Sequence, residues 1–314
     1  MIKNKIRVIL PGGAGLVGQN LVARMKKLGQ FDIVVIDKHA KNLESLRRLH
    51  PEVSAIHGDV SAPGNWEDCF KSADVVVMLQ AQIGGLYYEE FENNNISSTK
   101  LILDRVKKYH ISRLIHVSSS VVESVADDFY TKSKIAQEKL VLDSGISCPI
   151  FRPTLMYGWF DRKHLGWLSR LMLKSPIFPI PGDGKYSRQP LYVGDFCNII
   201  ISAISRPSIN GIFNISGLEK IDYIDMILAI KKTIHSKCWV IKIPYKVFYF
   251  LLWTWAIFDR NPPFTTQQLE ALVARDEFEV IDWPAIFDVK FTPFHLALEE
   301  VYKDPMYSNI VLDF

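Results

Sequence analysis

An α/β architecture is what this sequence predicts: a doubly wound parallel sheet followed by a smaller, helix-rich C-terminal lobe. Three observations carry that prediction. Short, continuously apolar runs alternate with amphipathic segments through the first half of the chain. A glycine-rich turn separates the first apolar run from the first amphipathic segment. Beyond Pro153 the alternation loosens into a Pro- and Gly-rich stretch and then an aromatic tail. Strands buried on both faces read as unbroken apolar runs, and strands joined by helices form right-handed βαβ units. Together these are the marks of a Rossmann-type domain.

The elements follow in order. The runs IRVIL, DIVVID, VSAIH, DVVVML, SRLIHVS and CPIFRP are too short for helices and are bounded by turn residues, so each is expected to be a strand. Between them, GQNLVARMKKLG, KNLESLRRLH and STKLILDRVKKYH repeat apolar residues at helical spacing. SPIFPIPGDGKYSRQP reads as a loop over a cleft. GDFCNIIISAIS and GIFNIS read as a helix and a strand that rejoin the first layer. The division expected is therefore a dinucleotide-binding domain over residues 1–155, with 192–218 returning to it. A substrate lobe is built from 156–191 and 219–314.

Composition narrows the function classes. The chain has 314 residues, enough to bury a large core, with 48% hydrophobic and 23% charged residues. A net charge of +3 without a Lys/Arg run gives no groove for nucleic acid. Cys69, Cys148, Cys197 and Cys238 form no C-x-x-C pair, which argues against a structural metal and for a reducing compartment. The N-terminus enters a strand-like run directly, so a cytoplasmic protein is expected.

The glycines at 12, 15 and 18 lie between a buried strand and a helix. The first allows a tight turn, the second lets backbone approach a pyrophosphate, and the third lets helix and strand pack closely. Leu16 and Val17 open the helix, whose N-terminus offers unpaired N–H groups and partial positive charge to phosphates. Asp37 closes the second strand, where a carboxylate accepts hydrogen bonds from ribose hydroxyls and repels a 2′-phosphate. NAD is therefore expected in preference to NADP, although Lys38 works slightly against that choice. A helix N-cap is the plainer role for Asp37. Asp59 and Val60, after the third strand, are expected at the adenine end, with a simple turn carboxylate as the alternative for Asp59.

Tyr130 and Lys134 form the chemical centre of the reading. Residues four apart share a helix face, and among the 12 tyrosines Tyr130 alone has lysine four positions later. A free phenol is a poor base at neutral pH. A neighbouring ammonium and the positive charge of an oxidised nicotinamide favour the phenolate, so a depressed Tyr130 pKa is expected. Such a phenolate can remove a hydroxyl proton from a sugar, with a serine at the preceding strand end orienting the same oxygen. The plain alternative is a surface tyrosine beside a solvated lysine.

With these residues in place, the chain resembles the extended short-chain dehydrogenase/reductase superfamily, in its NAD-dependent epimerase/dehydratase branch. The likeness runs nearly the full length. Gly12, Gly15 and Gly18 match the cofactor glycines, and Asn95 in NISST matches an asparagine that supports the sheet beneath the site. Ser120, ending SSS, matches the catalytic serine, and Tyr130 with Lys134 matches the catalytic pair. FRPTLMYG, carrying Pro153 and Tyr157, resembles the segment passing over the nicotinamide, where the resemblance implies cofactor and substrate contact respectively. Arg188 aligns with an arginine that contacts a substrate diphosphate; an ordinary ion pair with Asp195 is the alternative. Departures are Pro11 in place of threonine and LQAQ in place of H-x-A-A. Val121 and Val122 stand where the 4,6-dehydratases carry Asp-Glu, with Glu123 one place late. Valine cannot move a proton, so dehydration is disfavoured.

The resemblance then implies an epimerase, at C4, of a sugar carried on a nucleotide diphosphate or a polyprenyl diphosphate, in surface polysaccharide synthesis. A 4-keto nucleotide-sugar reductase is the second reading. A non-catalytic dinucleotide-binding module, like relatives attached to respiratory complex I, is the third, and retention of Tyr130 and Lys134 argues against it. A homodimer is expected. The run VFYFLLWTWAIF, between Lys246 and Asp259, is too short to span a bilayer. It reads first as a core helix of the C-terminal lobe. Its alternative is an interfacial helix resting through residues 246–258 on the inner face of a membrane, with Trp253 and Trp255 at headgroup level.

Overall fold

The computed structural model describes residues 5–259, 264–273 and 279–313. The first half contains β1 (Ile6–Pro11), α1 (Leu16–Leu28), β2 (Phe31–Asp37), α2 (Ala40–Leu49), β3 (Ser54–His57), β4 (Val75–Met78), α3 (Tyr88–Phe91), α4 (Ser98–Lys108), β5 (Arg113–Val117), α5 (Phe129–Asp143) and β6 (Pro149–Pro153). A π-helical turn at Glu92–Ser97 joins α3 to α4, and a 3-10 turn at Ser120–Glu123 follows β5. The second half contains β7 (Met156–Tyr157), α6 (Leu165–Lys174), β8 (Ile177–Pro181), β9 (Ser187–Arg188), β10 (Leu191–Tyr192), α7 (Val193–Ser205), β11 (Gly211–Ile215), β12 (Ile221–Asp222), α8 (Tyr223–Thr233), β13 (Trp239–Ile243), α9 (Tyr245–Phe258), α10 (Thr266–Val273), α11 (Trp283–Phe287) and α12 (Phe294–Lys303).

Seven parallel strands make one sheet in the order β11-β6-β5-β4-β1-β2-β3. Alternation explains why its strands are apolar throughout. Val8 and Leu10 enter the core beneath α1 and α7, while Ile9 between them enters the core beneath α4 and α5. The chain leaves β3 at one edge and resumes at β4 on the far side of β1. That reversal opens a crevice at the C-terminal ends of β1 and β4, where ligands of such sheets bind.

α11 lies in the stretch assigned from sequence to the substrate lobe, yet it packs on the sheet. Phe287 meets Phe151 and Phe213 with ring centroids 5.5 and 5.1 Å apart, and the Trp283 indole donates to Ser216 O. Further clasps join the lobe to α1. The partly buried Arg24 guanidinium donates to Tyr192 Oη at 2.8 Å and to Glu300 at 2.9 Å, and lies 4.5 Å from the Trp159 ring centroid. The lobe's own core gathers Phe178, Ile180, Ile227 and Leu298 around two short parallel strands, β8 and β13.

α9 overturns its first reading. Phe248 is its one buried residue, and Val247, Phe250, Leu251, Trp253, Trp255, Ile257 and Phe258 are all exposed. An apolar segment buries itself only where a neighbour supplies a matching face, and the lobe offers α9 such a face on one side alone. Among the described residues, no helix is long and apolar enough to cross a membrane.

Candidate active site

The three glycines of the turn serve distinct purposes. Gly12 has φ +75°, and a side chain there would put Cβ 2.5 Å from the backbone of Gln80. At Gly18 an added Cβ would stand 2.2 Å from Gly13 O, so this glycine is required for packing. Gly15 faces no such clash: its nearest neighbour would be Gly12 O at 3.5 Å. It is the N-cap of α1, with no side-chain cap bond and no acidic residue in the first turn. The N–H groups at the start of α1, from Leu16 and Val17 onward, and the positive end of its dipole are thus left for an anion. A pyrophosphate fits that cradle.

Asp37, 7% exposed, does more than the ribose contact expected of it. Its Oδ2 accepts from Ala14 N–H and its Oδ1 from His39 N–H, both at 3.0 Å, fixing the glycine turn to the start of α2. Each oxygen retains acceptor capacity for a ribose hydroxyl. Lys38, whose charge would suit a 2′-phosphate, donates to Asn94 Oδ1 at 2.6 Å. Burial pushes the Asp59 carboxyl up, but hydrogen bonds from Ser61 and the Lys38 charge outweigh it, leaving its pKa below the ordinary value. Val60 beside it is buried.

Asp128 caps α5 by accepting from Thr131 N–H at 2.8 Å, which puts Tyr130 in the first turn and Lys134 one turn on. The serine set against the Tyr130 side chain, close enough to lower its pKa, is Ser119, whereas the sequence reading placed Ser120 there. Ser119 keeps extended backbone, φ −157° and ψ 150°, at the end of β5, while Ser120 begins the 3-10 turn. The Tyr130 pKa also departs from expectation. Burial raises it above the ordinary phenol value, the Ser119 hydroxyl pulls it back, and the Asp128 charge adds to the rise. Lys134 is almost wholly buried, and burial lowers its pKa to about 7 against the opposing charge of Glu138. A lysine so easily neutralised lends the phenol little positive charge. The chain's own groups therefore do not depress Tyr130.

Beneath this pair lies a buried polar layer of which the sequence pointed to Asn95 alone. Lys134 Nζ donates to Val117 O at 3.1 Å and to Gln137 Oε1 at 2.5 Å; Gln137 donates to Thr99, and Thr99 to Asn95 O. Asn95, in the π-helical turn, donates to Ser133 Oγ at 2.8 Å and accepts from Gln82 N–H at 2.7 Å. It thereby ties the loop after β4 to α5. Ser118 donates to Glu138 at 2.6 Å, and Arg152 binds Glu138 through two nitrogens. His116 is fully buried near Lys134 with no hydrogen-bond partner among the described residues on either ring nitrogen, and burial, then the Lys134 charge, holds its pKa well below the usual value. One signal was available. On α5 the polar residues Ser133, Lys134, Gln137 and Glu138 are buried, while Ile135 and Leu142 are exposed. That is the reverse of an ordinary surface helix.

A glycine turn opening an uncapped helix, a carboxylate closing the second strand and a tyrosine-lysine pair after the fifth strand now stand at one sheet edge. The model of the NAD dependent epimerase/dehydratase family matches residues 8–216, more than half of the chain. The chain belongs to that family. NAD is its cofactor, and it is an enzyme of the extended short-chain dehydrogenase/reductase type. It is 24% identical over 246 residues to the dTDP-glucose 4,6-dehydratase of an Actinoplanes species, covering 68% of this chain and 77% of that one. It is 24% identical over 270 residues to the UDP-glucose 4-epimerase of Vibrio cholerae, covering 77% and 80%. The Bordetella bronchiseptica enzyme WbmG, solved in complex with NAD, shares the fold with a TM-score of 0.75 at 16% identity, covering 99% of this chain and 98% of that one.

The remaining positions can be set beside the epimerase/dehydratase pattern. Val121 and Val122 occupy the 3-10 turn, and Glu123 accepts from Arg152 Nη1 at 2.5 Å and from Asn214 at 3.1 Å. Pro153 ends β6 opposite Ile215. Tyr157, expected at the substrate, is instead 2% exposed, its ring between Tyr192 and Phe294 with centroids 5.6 and 5.5 Å away. Its strand position turns it into the lobe core. Arg188 lies in β9 with its guanidinium 5.8 Å from the Tyr186 ring centroid. Asp195, the alternative ion-pair partner, accepts from the Thr292 amide and hydroxyl at 3.0 and 2.6 Å.

Proposed function

We propose that this family member is a sugar epimerase acting at C4 of a nucleotide-diphosphate or polyprenyl-diphosphate sugar in surface polysaccharide synthesis. One observation carries the reading: the 3-10 turn between β5 and α5, which leads from Ser119 toward Tyr130, offers no residue free to act as a second acid. Val121 and Val122 carry no proton, and Glu123 is held by Arg152 and Asn214. That arrangement suits proton exchange at one hydroxyl and disfavours loss of water.

When bound, NAD supplies a reversible acceptor for the electrons and hydrogen leaving the sugar carbon. Tyr130, oriented by Ser119 and favoured as the phenolate by the positive charge of the oxidised nicotinamide rather than by the chain's own groups, would take the proton of the hydroxyl on that carbon. After the keto-sugar turns over in the cleft, it returns the proton on the same oxygen, with no net oxidation. Lys134, poised near neutrality by burial, supplies or accepts a proton along the same face of α5. Arg188 holds the diphosphate. The exposed Ile135 and Leu142, seven residues apart on the outer side of α5, support pairing of two copies there.

Mass spectrometry of small molecules released from denatured protein, combined with an assay lacking added cofactor, tests the reading. Retained NAD and interconversion of C4 epimers without added NAD are expected, with turnover reduced about a thousandfold in Tyr130→Phe. Activity that requires stoichiometric NADH or NADPH would instead establish the reductase.

A further inference from the structure

We propose that α9 and the adjoining face of β8 and β13 form a docking surface for an anionic bilayer, on which the protein sits without crossing it. The first support is the arrangement of exposed residues. At 3.6 residues per turn, Trp253, Ile257, Phe250, Val247, Phe258, Leu251 and Trp255 fall in that angular order across an arc of ~200°. All seven are exposed, Phe258 to 90%. The two tryptophans stand at the opposite rims of the arc; aliphatic and phenyl groups flank Thr254, whose hydroxyl is turned back onto Leu251 O, and the exposed Lys246 falls beside Trp253. The Trp255 indole donates to Asp259 at 3.2 Å, its polar edge turned to the boundary. Indoles at the rims of an apolar stripe match a helix lying in the headgroup layer. Phe248 and Leu252 occupy the inner side.

The apolar surface continues beyond the helix. Pro179 and Ile243 line a groove of about 550 Å³ together with α9. Side chains on one strand share a face at every second residue, and the parallel register sets Ile177 beside Trp239 and Pro179 beside Ile241. Ile177, Trp239 and Ile241 are exposed on that same face, Trp239 to 75%. A contiguous patch of this size on a folded chain marks an interaction site.

Charge selects the occupant. Between Asp225 and Asp259, residues 226–258 carry Lys231, Lys232, Lys237, Lys242 and Lys246 and no further aspartate or glutamate, whereas the whole chain balances 37 basic against 34 acidic residues. Lys232, Lys237, Lys242 and Lys246 are exposed; Lys246 falls within the α9 arc, while Lys242 lies on the other face of β13 from Trp239 and Ile241. A two-fold contact between copies would set this basic patch against itself. Anionic headgroups complement it, while the apolar arc enters the layer beneath. With 14 residues, α9 is about 21 Å long, shorter than the roughly 30 Å hydrocarbon core, so it lies in the plane of the surface.

Co-sedimentation of the full chain with vesicles tests this independently of catalysis, using phosphatidylcholine alone and an equal mixture with phosphatidylglycerol. Strong association with the mixed vesicles is expected, weakened by salt and about tenfold lower on phosphatidylcholine alone. The pair Trp253→Glu and Trp255→Glu should lower association at least tenfold while leaving NAD binding and the melting temperature unchanged. Tryptophan quenching by brominated lipid in the unsubstituted protein provides the same readout without a variant. Absence of both association and quenching overturns the proposal. So does a self-associated chain that the tryptophan substitutions dissociate, since the occupant is then a second copy.

Discussion

The glycine turn and α5 face each other across the end of the sheet, and different forces hold them. At the turn the work is steric. Gly12 and Gly18 are fixed by backbone atoms 2.5 and 2.2 Å from where a side chain would begin, and the one charged group, Asp37, is bonded to two backbone amides. On α5 the work is electrostatic. Its buried face carries a lysine, a glutamine, a glutamate and a serine, and its polar contacts run to Val117 O, Ser118 and Arg152 at the sheet and to Thr99 on α4. A cofactor site built this way has one half that fails through added volume and another that fails through a changed charge.

Substitutions can break that contrast. The largest effect is expected at Gly18: Gly18→Val should lose several kcal/mol of stability, enough to leave little folded protein, because neither α1 nor the turn can yield. Gly15→Ala should melt within about 1 kcal/mol of the parent yet bind NAD at least tenfold more weakly. Thermal denaturation read beside NAD titration separates the two; equal melting of both variants would remove the steric account of the turn. On the α5 side the serines give a smaller effect. Ser119→Ala should lower kcat by about tenfold or more and Ser120→Ala by much less, since the first holds Tyr130. The reverse ranking would restore the assignment made from sequence.

The smallest effect is a slope. Lys134 has a folded pKa of about 7, below its ordinary value of 10.5. Between those values the unfolded chain binds more protons than the folded one, so stability rises with pH. The full burden of the buried charge is felt below pH 7 and lifts toward pH 10.5, at up to about 1.4 kcal/mol per pH unit. Urea denaturation from pH 7 to 10 should show that rise in the parent and a flatter profile in Lys134→Met. The same measurement on Gly15→Ala should keep the parental slope, because the turn contributes no titrating group to it.

The same division explains what could be read in advance. The strands were legible because both their faces are apolar, and the turn was legible because glycine spacing encodes steric demand directly. α5 was legible for Tyr130 and Lys134 as an i, i+4 pair. Its partners were not, because burial of Gln137 and Glu138 depends on Thr99 and Arg152, far away in sequence. Ser119 and Ser120 are chemically identical; only the residue at which extended chain gives way to a 3-10 turn distinguishes them. Tyr157 was misjudged because a two-residue strand fixes its direction. For α9, hydropathy reported how strongly water is avoided but not what takes its place.

Arg24 has a consequence for motion. Its guanidinium fastens the helix that meets the pyrophosphate to Glu300 on α12, with Trp159 against its face. Coenzyme helix and substrate lobe are thereby riveted at their far ends. Swinging one lobe on the other would have to break that contact, which favours movement of the short segments at the crevice mouth over lobe closure.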